Sequence, residues 1–484
     1  MKHAVVGWES TSPIPDTSLN KYLNARNGRL FYEDLDLAAL FVNGKRIPNL
    51  DLNLHSPLEL VYLPMIRKQI RNMCEIFDRA IDEIGYAGTF HYTYASKANA
   101  AEEVIRTTLG AGAQHEMSSV MDIEIIRYIL EHGLLDPQTL ILCNGFKPPN
   151  SSYAAEILKL KRDHDPVIPI IEDLQEFDPL IHSGLSFDVG LRQKSYGQHR
   201  DLAEMNRANS RFGMNMNDIF KAAEIAHNSD QLNLRLYHAM VGSQIVDIEG
   251  FIDRLRPPIE IFAQLRQKYP ELSIFDFGGG VPVAMTLDFE CDYMAFAQKL
   301  LSTIKATCEK YQVQVPDVIG EFGRYTVTEH GAHLFKIIGV KDNGSKYPWY
   351  IMDGSIMSSF PDSWALGEHF TVLPLNHLDR PFQQVQLGGI TCDSDDIFPP
   401  HKSTSPLFLP VDTDDLYIGF FGIGAYQEML GGAGGSKHCV IPEADELIID
   451  RDEDGKYQFK LIQGQGAHSV LGNLGYYPRR NHNS

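Results

Sequence analysis

Ile-Phe-Asp-Phe-Gly-Gly-Gly, residues 274–280, is a short apolar strand pattern that ends in three glycines. It is the seventh of eight strand patterns between residues 89 and 324, and helix-like patterns lie between them. This alternation is typical of βα units around a parallel sheet. Eight units over about 250 residues match the size of a (β/α)₈ barrel. An open doubly wound sheet is the alternative that the same pattern permits.

The predicted strands are rich in apolar and β-branched residues, and the predicted helices carry apolar residues at three- and four-residue spacing. The strands are Thr89–Ser96, Ala113–Ser118, Thr139–Asn144, Val167–Glu172, Phe187–Arg192, Leu232–Met240, Ile274–Gly279 and Val318–Phe322. The helices include Ala101–Leu109, Val120–Glu131, Ile219–Ala226, Ile259–Tyr269 and Tyr293–Tyr311.

After Arg324 the pattern changes to strand-like runs separated by Gly, Pro and Asp, which predicts an all-β domain. Arg29–Leu63 is also strand-like, so we expect it to join that domain. The predicted organisation is an N-terminal segment over residues 1–64, a barrel over 65–330 and a β-domain over 331–484. The strand-like runs are Phe335–Val340, Trp349–Met352, Val385–Leu387, Leu416–Phe421 and Tyr457–Leu461.

The balance of charge is acidic: 43 Lys and Arg stand against 63 Asp and Glu, a net charge of −20. This argues against nucleic-acid or anionic-membrane partners, which bind clustered basic residues. The six cysteines include no CxxC pair, so neither a metal site nor a disulfide framework is expected. No apolar run approaches a membrane span or a signal-peptide core, and we expect a cytoplasmic protein with a small-molecule substrate.

In a barrel, catalytic residues lie at the carboxyl ends of strands. Lys97 follows the first strand, where it is either an exposed loop charge or an amine that forms a Schiff base with an aldehyde cofactor. Gly278–Gly280 ends the seventh strand, and Arg324 follows the eighth, where barrels commonly bind phosphate. Glu321, near the end of the eighth strand, is either a partner for a pyridinium nitrogen or one half of a structural pair with Arg324.

Two further segments contain candidate residues. Ser243 follows the sixth strand and is a candidate phosphate donor, while Met240 is either a core residue or an apolar contact of a ligand. In the β-domain, the acidic run Thr391–Asp395 lacks the ligand spacing of an EF-hand calcium loop. We therefore expect no metal there.

Five motifs, in order along the chain, resemble the fold-type-III pyridoxal-phosphate decarboxylases, and most closely their biosynthetic arginine decarboxylase branch. The resemblance extends from about residue 85 to the end of the sequence. The motifs are Leu142-Cys143-Asn144-Gly145-Phe146-Lys147, Phe360-Pro361-Asp362-Ser363-Trp364-Ala365, Val372-Leu373-Pro374-Leu375, Ile390-Thr391-Cys392-Asp393-Ser394-Asp395 and Gly424-Ala425-Tyr426-Gln427-Glu428.

The resemblance implies a role for each candidate residue. Lys97 would hold pyridoxal 5'-phosphate covalently, Glu321 would pair with its ring nitrogen, and Glu116 would lie beside the ring. Cys392 would donate a proton to the decarboxylated carbon, and Asp393 would face the distal cation of the substrate. The residues implied around the phosphate are Ser243, Gly279, Gly280, Arg324 and Tyr426.

The implied activity is decarboxylation of L-arginine to agmatine in polyamine and spermidine synthesis, by a head-to-tail homodimer with shared active sites. The alternatives are decarboxylation of ornithine, lysine, diaminopimelate or carboxynorspermidine, an amino-acid racemase, and a catalytically silent homologue. The sequence departs from the family at Met240, where a histidine usually stacks on the cofactor ring. It also departs at Gly431–Ser436, which replaces the usual segment after the Tyr-Gln-Glu motif, and it is too short for the inserted bundle and C-terminal extension of the large arginine decarboxylases.

Overall fold

The computed structural model describes residues 4–41, 47, 50, 54–194, 210–401 and 403–477. The strands are β1 (Thr17–Ser18), β2 (Leu23–Arg26), β3 (Arg29–Tyr32), β4 (Leu35–Asp36), β5 (Leu58–Tyr62), β6 (Phe90–Ala95), β7 (Gln114–Met117), β8 (Ile141–Cys143), β9 (Val167–Ile171), β10 (Phe187–Arg192), β11 (Leu232–His238), β12 (Ile274–Asp276), β13 (Asp317–Phe322), β14 (Gly331–Lys341), β15 (Trp349–Met352), β16 (Thr371–Pro374), β17 (Phe382–Gly388), β18 (Ile397–Phe398), β19 (Leu407–Pro410), β20 (Tyr417–Phe421), β21 (Asp445–Arg451) and β22 (Tyr457–Ile462).

The α-helices of the described residues are α1 (Leu63–Ile84), α2 (Glu102–Gly110), α3 (Val120–Glu131), α4 (Ser152–Asp163), α5 (Phe177–Ile181), α6 (Met216–His227), α7 (Ile248–Lys268), α8 (Tyr293–Tyr311), α9 (Arg324–Val327), α10 (Ile356–Ser359), α11 (Pro361–Leu366), α12 (Gln427–Gly431) and α13 (Ala467–Asn473). No helix in these described ranges has the length and apolar content to cross a membrane.

The chain forms two compact units. The barrel unit consists of Arg67–Val283 and Cys291–Thr326. The β-unit consists of Met1–Ile66, Ala284–Glu290 and Val327–Ser484, so it is built from three separate stretches of sequence.

In the barrel unit, β6 to β13 pair in parallel and in chain order, and β13 pairs with β6 to close the ring. The predicted (β/α)₈ barrel is confirmed, and the open doubly wound alternative is wrong. Buried aliphatic side chains from five strands form a common core, as expected for a barrel filled by its own side chains. They are Leu142, Ile168, Ile170, Leu236, Ile274 and Ile319.

Most predicted elements of the barrel unit match within one or two residues, and α7 is the main difference. It begins at Ile248 rather than at Ile259 and contains Pro257 and Pro258. The predicted helix began at Ile259, directly after these prolines, and proline usually interrupts a helix. Burial of the preceding turns, including Phe251, outweighs that preference.

Two strands end two or three residues before their predicted ends, and this affects the site. β11 ends at His238 and β12 ends at Asp276. Met240 and Gly278–Gly280 therefore lie in the loops that follow these strands. Polar residues that the patterns placed inside strands, His238 and Asp276, are the last residues of their strands instead.

The β-unit is built around β5, which pairs antiparallel with β14 and parallel with β21. The sheet runs in the order β18-β17-β15-β14-β5-β21-β22, and β1 to β4 form a separate meander. Four short helices, α10 to α13, interrupt the predicted all-β pattern. Within Arg29–Leu63, residues 42–46, 48–49 and 51–53 lie outside the described residues.

Candidate active site

Lys97 lies directly after β6, in a single 3₁₀ turn formed by Ser96–Ala98. The Ser96 hydroxyl donates a hydrogen bond to Asp122 Oδ1 at 3.1 Å, and Asp122 Oδ2 accepts one from the main-chain N–H of Ser118 at 3.0 Å. These contacts anchor the turn, while the Lys97 side chain is half exposed. Its Nζ lies 3.6 Å from Glu116 Oε2.

Two buried carboxyl groups are joined by one amide. Glu116 lies on β7 and Glu321 on β13, and Asn144 directly follows β8. Asn144 Nδ2 donates to Glu116 Oε1 at 2.9 Å and to Glu321 Oε1 at 2.8 Å. The ends of three strands thus hold one polar network next to Lys97.

His238 and Asp276 extend this network along β11 and β12. His238 Nδ1 lies 2.7 Å from Asp276 Oδ2 and 3.7 Å from Glu321 Oε1. The N–H of Gly278 donates to the other oxygen of Asp276 at 2.8 Å. Both His238 and Asp276 are buried. The ligand atoms of His238, Asp276 and Glu321 lie within 4.8 Å of one another, a spacing that suits one cationic centre.

The pKa values of these groups follow from their burial. Burial raises the pKa of Asp276 to about 7, and it raises that of Glu321 to about 8 with help from the Asp276 charge. Burial also lowers the pKa of His238 to about 4, so this ring is neutral near pH 7. Two carboxyl groups that lie this close together and are buried from water, as Asp276 and Glu321 are, tend to share one proton. A cation placed beside Glu321 would relieve the repulsion between them.

The three-glycine loop after β12 lets neighbouring atoms approach its backbone closely. Gly278 and Gly280 have φ values of +67° and +104°, which residues with a side chain rarely adopt. A Cβ on Gly279 would lie 2.8 Å from the Glu321 carbonyl oxygen, and one on Gly280 would lie 2.6 Å from that of Gly242. Glycine is thus required here for close approach as well as for conformation.

Met240 packs on this loop. Its sulfur accepts a hydrogen bond from the Gly279 N–H at 3.2 Å, and a Cβ on Gly278 would lie 2.9 Å from it. Gln244 joins the neighbouring loop to the same region, because its side chain accepts from the Val283 N–H at 2.9 Å and donates to the Val283 carbonyl at 3.3 Å. Ser243 is exposed in the loop that Gln244 fixes.

A second charged network lies at the ends of β9 and β10. Arg192 Nη1 lies 2.6 Å from Glu172 Oε1, and Lys147 Nζ lies 2.9 Å from Glu176 Oε2. Burial alone would raise the pKa of Glu172, but the charges of Arg192 and Lys147 hold it below its usual value. This carboxylate also accepts the N–H of Gly145 at 3.1 Å.

The remaining candidates lie in the β-unit, in turns rather than at strand ends. Cys392 is exposed in the turn between β17 and β18. The buried Asp396 organises this turn, since its carboxylate accepts from the Thr391 hydroxyl at 2.6 Å and from the Ile356 N–H at 2.7 Å. Asp393 Oδ2 lies 3.1 Å from Nε2 of His438.

Tyr426 precedes α12 and has a φ of +69°. The buried side chain of the next residue, Gln427, donates to Asp362 Oδ2 at 2.9 Å and accepts from the Asp362 N–H at 3.2 Å. The motifs at Phe360–Ala365 and Gly424–Glu428 are thus joined by direct hydrogen bonds.

The barrel with a lysine and buried carboxyl groups at its strand ends is matched by the family model for "Pyridoxal-dependent decarboxylase, pyridoxal binding domain" over residues 67–328. The chain belongs to the pyridoxal-dependent decarboxylases. The resemblance noted in the sequence is confirmed: the protein is an enzyme of this family, and its cofactor is pyridoxal phosphate.

Known decarboxylases are similar to nearly the whole chain. The biosynthetic arginine decarboxylase of Deinococcus radiodurans is 22% identical over 87% of this chain and 80% of its own. The biosynthetic arginine decarboxylase of Synechococcus sp. is 23% identical over 92% of this chain and 85% of its own. Among solved structures, the Campylobacter jejuni biosynthetic arginine decarboxylase has a TM-score of 0.77 at 21% identity, covering 95% of this chain and 91% of that one. Diaminopimelate decarboxylase from M. jannaschii, in complex with L-lysine, has a TM-score of 0.76 at 19% identity, covering 95% and 99%.

The barrel of this decarboxylase fits its cofactor. Among the described residues, Nε2 of His238, Oδ1 of Asn144 and Oε2 of Glu116 are buried without a hydrogen-bond partner, and Lys97 lies next to the last of these. Buried polar atoms of this kind usually have a partner. A ring with a protonated nitrogen would supply a cation beside Glu321, and the glycine loop would accept a phosphate close to its backbone.

The structure brings several of the predicted site residues together in the barrel unit: Lys97 with Glu116, Glu116 with Glu321 through Asn144, and Met240 with Gly279. Arg324 begins α9 directly after β13. Cys392, Asp393 and Tyr426 lie in the β-unit.

The sequence patterns missed the roles of Asn144, His238, Asp276 and Gln244. The signal available for the first three was a polar residue at or just after the carboxyl end of a buried strand.

Proposed function

We propose that this decarboxylase acts on a basic L-amino acid, and that its substrate is L-arginine, which it converts to agmatine and carbon dioxide in polyamine synthesis. The observation that supports this choice of substrate is the similarity to biosynthetic arginine decarboxylases over 85 to 92% of the chain. These relatives come from organisms as different as Deinococcus radiodurans and Synechococcus sp.. The acidic net charge of −20 favours a cationic substrate.

Pyridoxal phosphate, when bound, supplies the electron sink that accepts the electron pair left by departing carbon dioxide. Lys97 is the residue proposed to hold it covalently, and it exchanges places with the amine of the substrate. Its Nζ lies 3.6 Å from Glu116 Oε2, so this carboxyl group would pair with the lysine amine once the substrate has taken its place.

Glu321 is proposed to hold the proton of the ring nitrogen. The neutral His238 and the proton-sharing Asp276 surround it, so a cation at this point meets negative charge in a site with little water. Gly279, Gly280, Ser243, Arg324 and Tyr426 are the residues proposed to bind the phosphate, the first two through backbone N–H groups.

Cys392 is proposed to donate a proton to the α-carbon after carbon dioxide leaves, which directs the reaction to the amine product. We propose that it does so in the active site of a partner subunit, within a head-to-tail homodimer. Asp393 would then face the guanidinium of the substrate, because a carboxylate offers that group a bidentate contact. His438 now occupies one oxygen of Asp393, and a cationic substrate would compete with it.

The test is a panel of L- and D-arginine, L-ornithine, L-lysine, meso-diaminopimelate and carboxynorspermidine, with carbon dioxide and the amine product both measured. Release of one carbon dioxide per agmatine from L-arginine, with much lower kcat/KM for the others, would support the proposal. Cofactor-loaded protein that leaves L-arginine unchanged would refute the arginine assignment.

Diaminopimelate is the second candidate, because the fold similarity to the M. jannaschii diaminopimelate decarboxylase, at a TM-score of 0.76, equals that to the arginine enzyme within 0.01. The panel separates the two, since diaminopimelate yields lysine and arginine yields agmatine. Racemisation of L-arginine without carbon dioxide release would support the racemase alternative instead.

A further inference from the structure

Two cysteines from distant parts of the sequence meet in the β-unit. Cys439 lies beyond the Gly431–Ser436 segment, where the sequence departs from the family pattern, and Cys392 is among the neighbouring groups that shift the pKa of its thiol. Its sulfur also lies 3.4 Å from Nε2 of His438. That nitrogen is 3.1 Å from Asp393, the neighbour of Cys392.

The turn that carries Cys439 is strained. Cys439 and Val440 have φ values of +52° and +59°, and a β-branched residue such as Val440 rarely adopts this conformation. Strain of this kind persists only where surrounding contacts hold it, and it is concentrated at functional positions. Here the adjacent His438 links the strained turn to Asp393, on the turn that carries Cys392.

The chemistry of the six cysteines separates this pair from the other four. Cys392 and Cys439 are exposed, whereas Cys143 and Cys308 are buried and Cys74 and Cys291 are half-buried. Burial raises the pKa of Cys143 to about 12 and those of Cys74 and Cys308 to about 11, which keeps these thiols protonated and unreactive.

We propose that Cys392 and Cys439 are a site of reversible oxidation, at which a peroxide converts the two thiols to a disulfide and so removes the proton donor of the active site. The consequence for activity rests on the proposed function, in which Cys392 delivers a proton to the substrate. The disulfide itself rests only on the proximity and exposure of the two thiols.

The reaction is balanced with hydrogen peroxide as the oxidant. The Cys392 thiolate attacks one peroxide oxygen, the O–O bond breaks, and Cys392 becomes a sulfenic acid as hydroxide leaves and takes a proton to form water. The Cys439 sulfur then attacks the Cys392 sulfur, and the S–O bond breaks with loss of a second water. Two electrons pass from the thiols to the peroxide, and a dithiol reductant reverses the reaction.

The order of attack follows from the surroundings of Cys439. Loss of hydration, together with the nearby Cys392 and Asp393, raises the pKa of the Cys439 thiol. A raised pKa suits Cys439 to the role of resolving thiol, and the first attack on peroxide is given to Cys392 because it is the thiol that a substrate reaches in the proposed function. A substrate must reach Cys392 for the proposed reaction, so a small peroxide reaches it by the same path when no substrate is bound.

The test uses the cofactor-loaded enzyme, hydrogen peroxide and a dithiothreitol chase. For the wild type we expect activity to fall at least about a hundredfold, as for loss of a general acid, and to return with dithiothreitol. Peptide mapping without reduction should find Cys392 linked to Cys439. Cys439→Ser should retain wild-type activity before treatment and form no disulfide. Excess peroxide should carry its unresolved Cys392 sulfenic acid on to the sulfinic acid, so that dithiothreitol no longer restores activity. Cys291→Ser is the matched control and should behave as the wild type.

Peptide mapping of the wild type does not depend on how any variant folds. Absence of the Cys392–Cys439 linkage after oxidation, or equal recovery of the wild type and Cys439→Ser, would overturn the proposal. A disulfide that forms in enzyme of unchanged activity would support the oxidation site and overturn the role of Cys392 as proton donor. Failure of the arginine assignment in the substrate panel would leave the disulfide result intact.

Discussion

The two sets of candidate residues are held in place in different ways. In the barrel unit, Glu116, His238, Asp276 and Glu321 lie on strands whose backbones are paired on both sides, and their side chains are buried. In the β-unit, Cys392 lies on an exposed turn held by the side chain of Asp396. The comparison teaches that the residues proposed to bind the cofactor lie on paired strands, whereas the proposed proton donor depends on a few side-chain hydrogen bonds.

Lys97→Ala should have the largest effect, because it removes the only residue proposed to attach the cofactor covalently. We expect no turnover and no cofactor retained on the protein after borohydride reduction. The reduced cofactor should be found on the peptide that contains Lys97 in the wild type. Lys159→Ala, an exposed lysine on α4, is the control and should behave normally. Labelling of another peptide would refute the assignment.

Cys392→Ala should lower amine formation by ~10²–10⁴-fold, the usual contribution of a general acid. Cofactor binding should remain, because the barrel is unchanged. If each site combines Lys97 from one subunit with Cys392 from the other, mixing the inactive Lys97→Ala and Cys392→Ala proteins should restore about a quarter of the activity after random exchange. Proven exchange without recovery would mean that both residues serve within one subunit.

Asp396→Asn tests how far one side chain controls the Cys392 turn. The substitution replaces a carboxylate oxygen that accepts from Thr391 by an N–H donor, which leaves the Thr391 groups facing a donor. We expect the free energy of unfolding to fall by about 1–3 kcal/mol, with a several-fold loss of activity. Thermal unfolding and product analysis measure the two effects, and the exposed Asp395→Asn is the control. Unchanged activity would show that the turn does not depend on Asp396.

Asp276→Asn tests the buried carboxyl groups through pH. Asp276 and Glu321 have pKa values raised to about 7 and about 8, so the native protein keeps protons that the unfolded chain has released. The contribution of these two groups to the free energy of unfolding of the cofactor-free protein should therefore fall as pH rises from about 4 to 8. The buried histidines contribute in the opposite direction, and between pH 6.5 and 8 this contribution fades, because the unfolded chain loses its histidine protons there while the native rings are already neutral.

In that window we expect a shallower decline of Tm for cofactor-free Asp276→Asn than for the wild type, and a decline equal to the wild type for exposed Asp253→Asn. The cofactor-loaded wild type should also show a shallower decline, because a cationic ring nitrogen compensates the carboxylates. Parallel curves for all three proteins would contradict the raised pKa values.

Met240→His should have the smallest effect. The Met240 sulfur contacts the Gly279 N–H, an interaction that a ring nitrogen can replace, and a sulfur–aromatic contact with the cofactor is worth only about 0.3–1.5 kcal/mol. We expect kcat/KM on the native substrate to change by less than about tenfold. A much greater loss would show that Met240 marks a site remodelled for a different substrate.

The sequence was sufficient for the parts of the molecule in which local pattern and tertiary structure agree. The spacing of strands and helices predicted the barrel, and Lys97 and Glu321 were proposed as site residues because each lies at or near the end of a strand pattern. The network around them was missed, because the partner of Asn144 lies 177 residues away, at Glu321, and only closure of the barrel brings the two together. Asp276 was treated as part of a strand because nothing in a local pattern shows which strand-end side chains point inward.

The proximity of Cys392 and Cys439 could not be predicted from the sequence, for a similar reason. Neither residue belongs to a CxxC pair, and the loops that carry them are fixed by Asp396 and by a strained turn rather than by periodic structure. The Met240 departure, in contrast, was visible in the sequence, but its contact with Gly279 depends on where β11 ends.

The position of β5 determines the timing of folding during synthesis. Leu58, Leu60, Val61 and Tyr62 are buried in the native sheet, but β14 emerges from the ribosome about 270 residues later and β21 about 380 residues later. At 5–20 residues per second, β5 waits roughly 20–80 s for its second partner, while every strand of the barrel has already been made. An apolar strand with two unpaired edges is exposed to other chains until β14 is made, and one edge stays unpaired until β21 follows. We therefore expect the yield of folded enzyme to depend on chaperone supply more strongly than its final stability does.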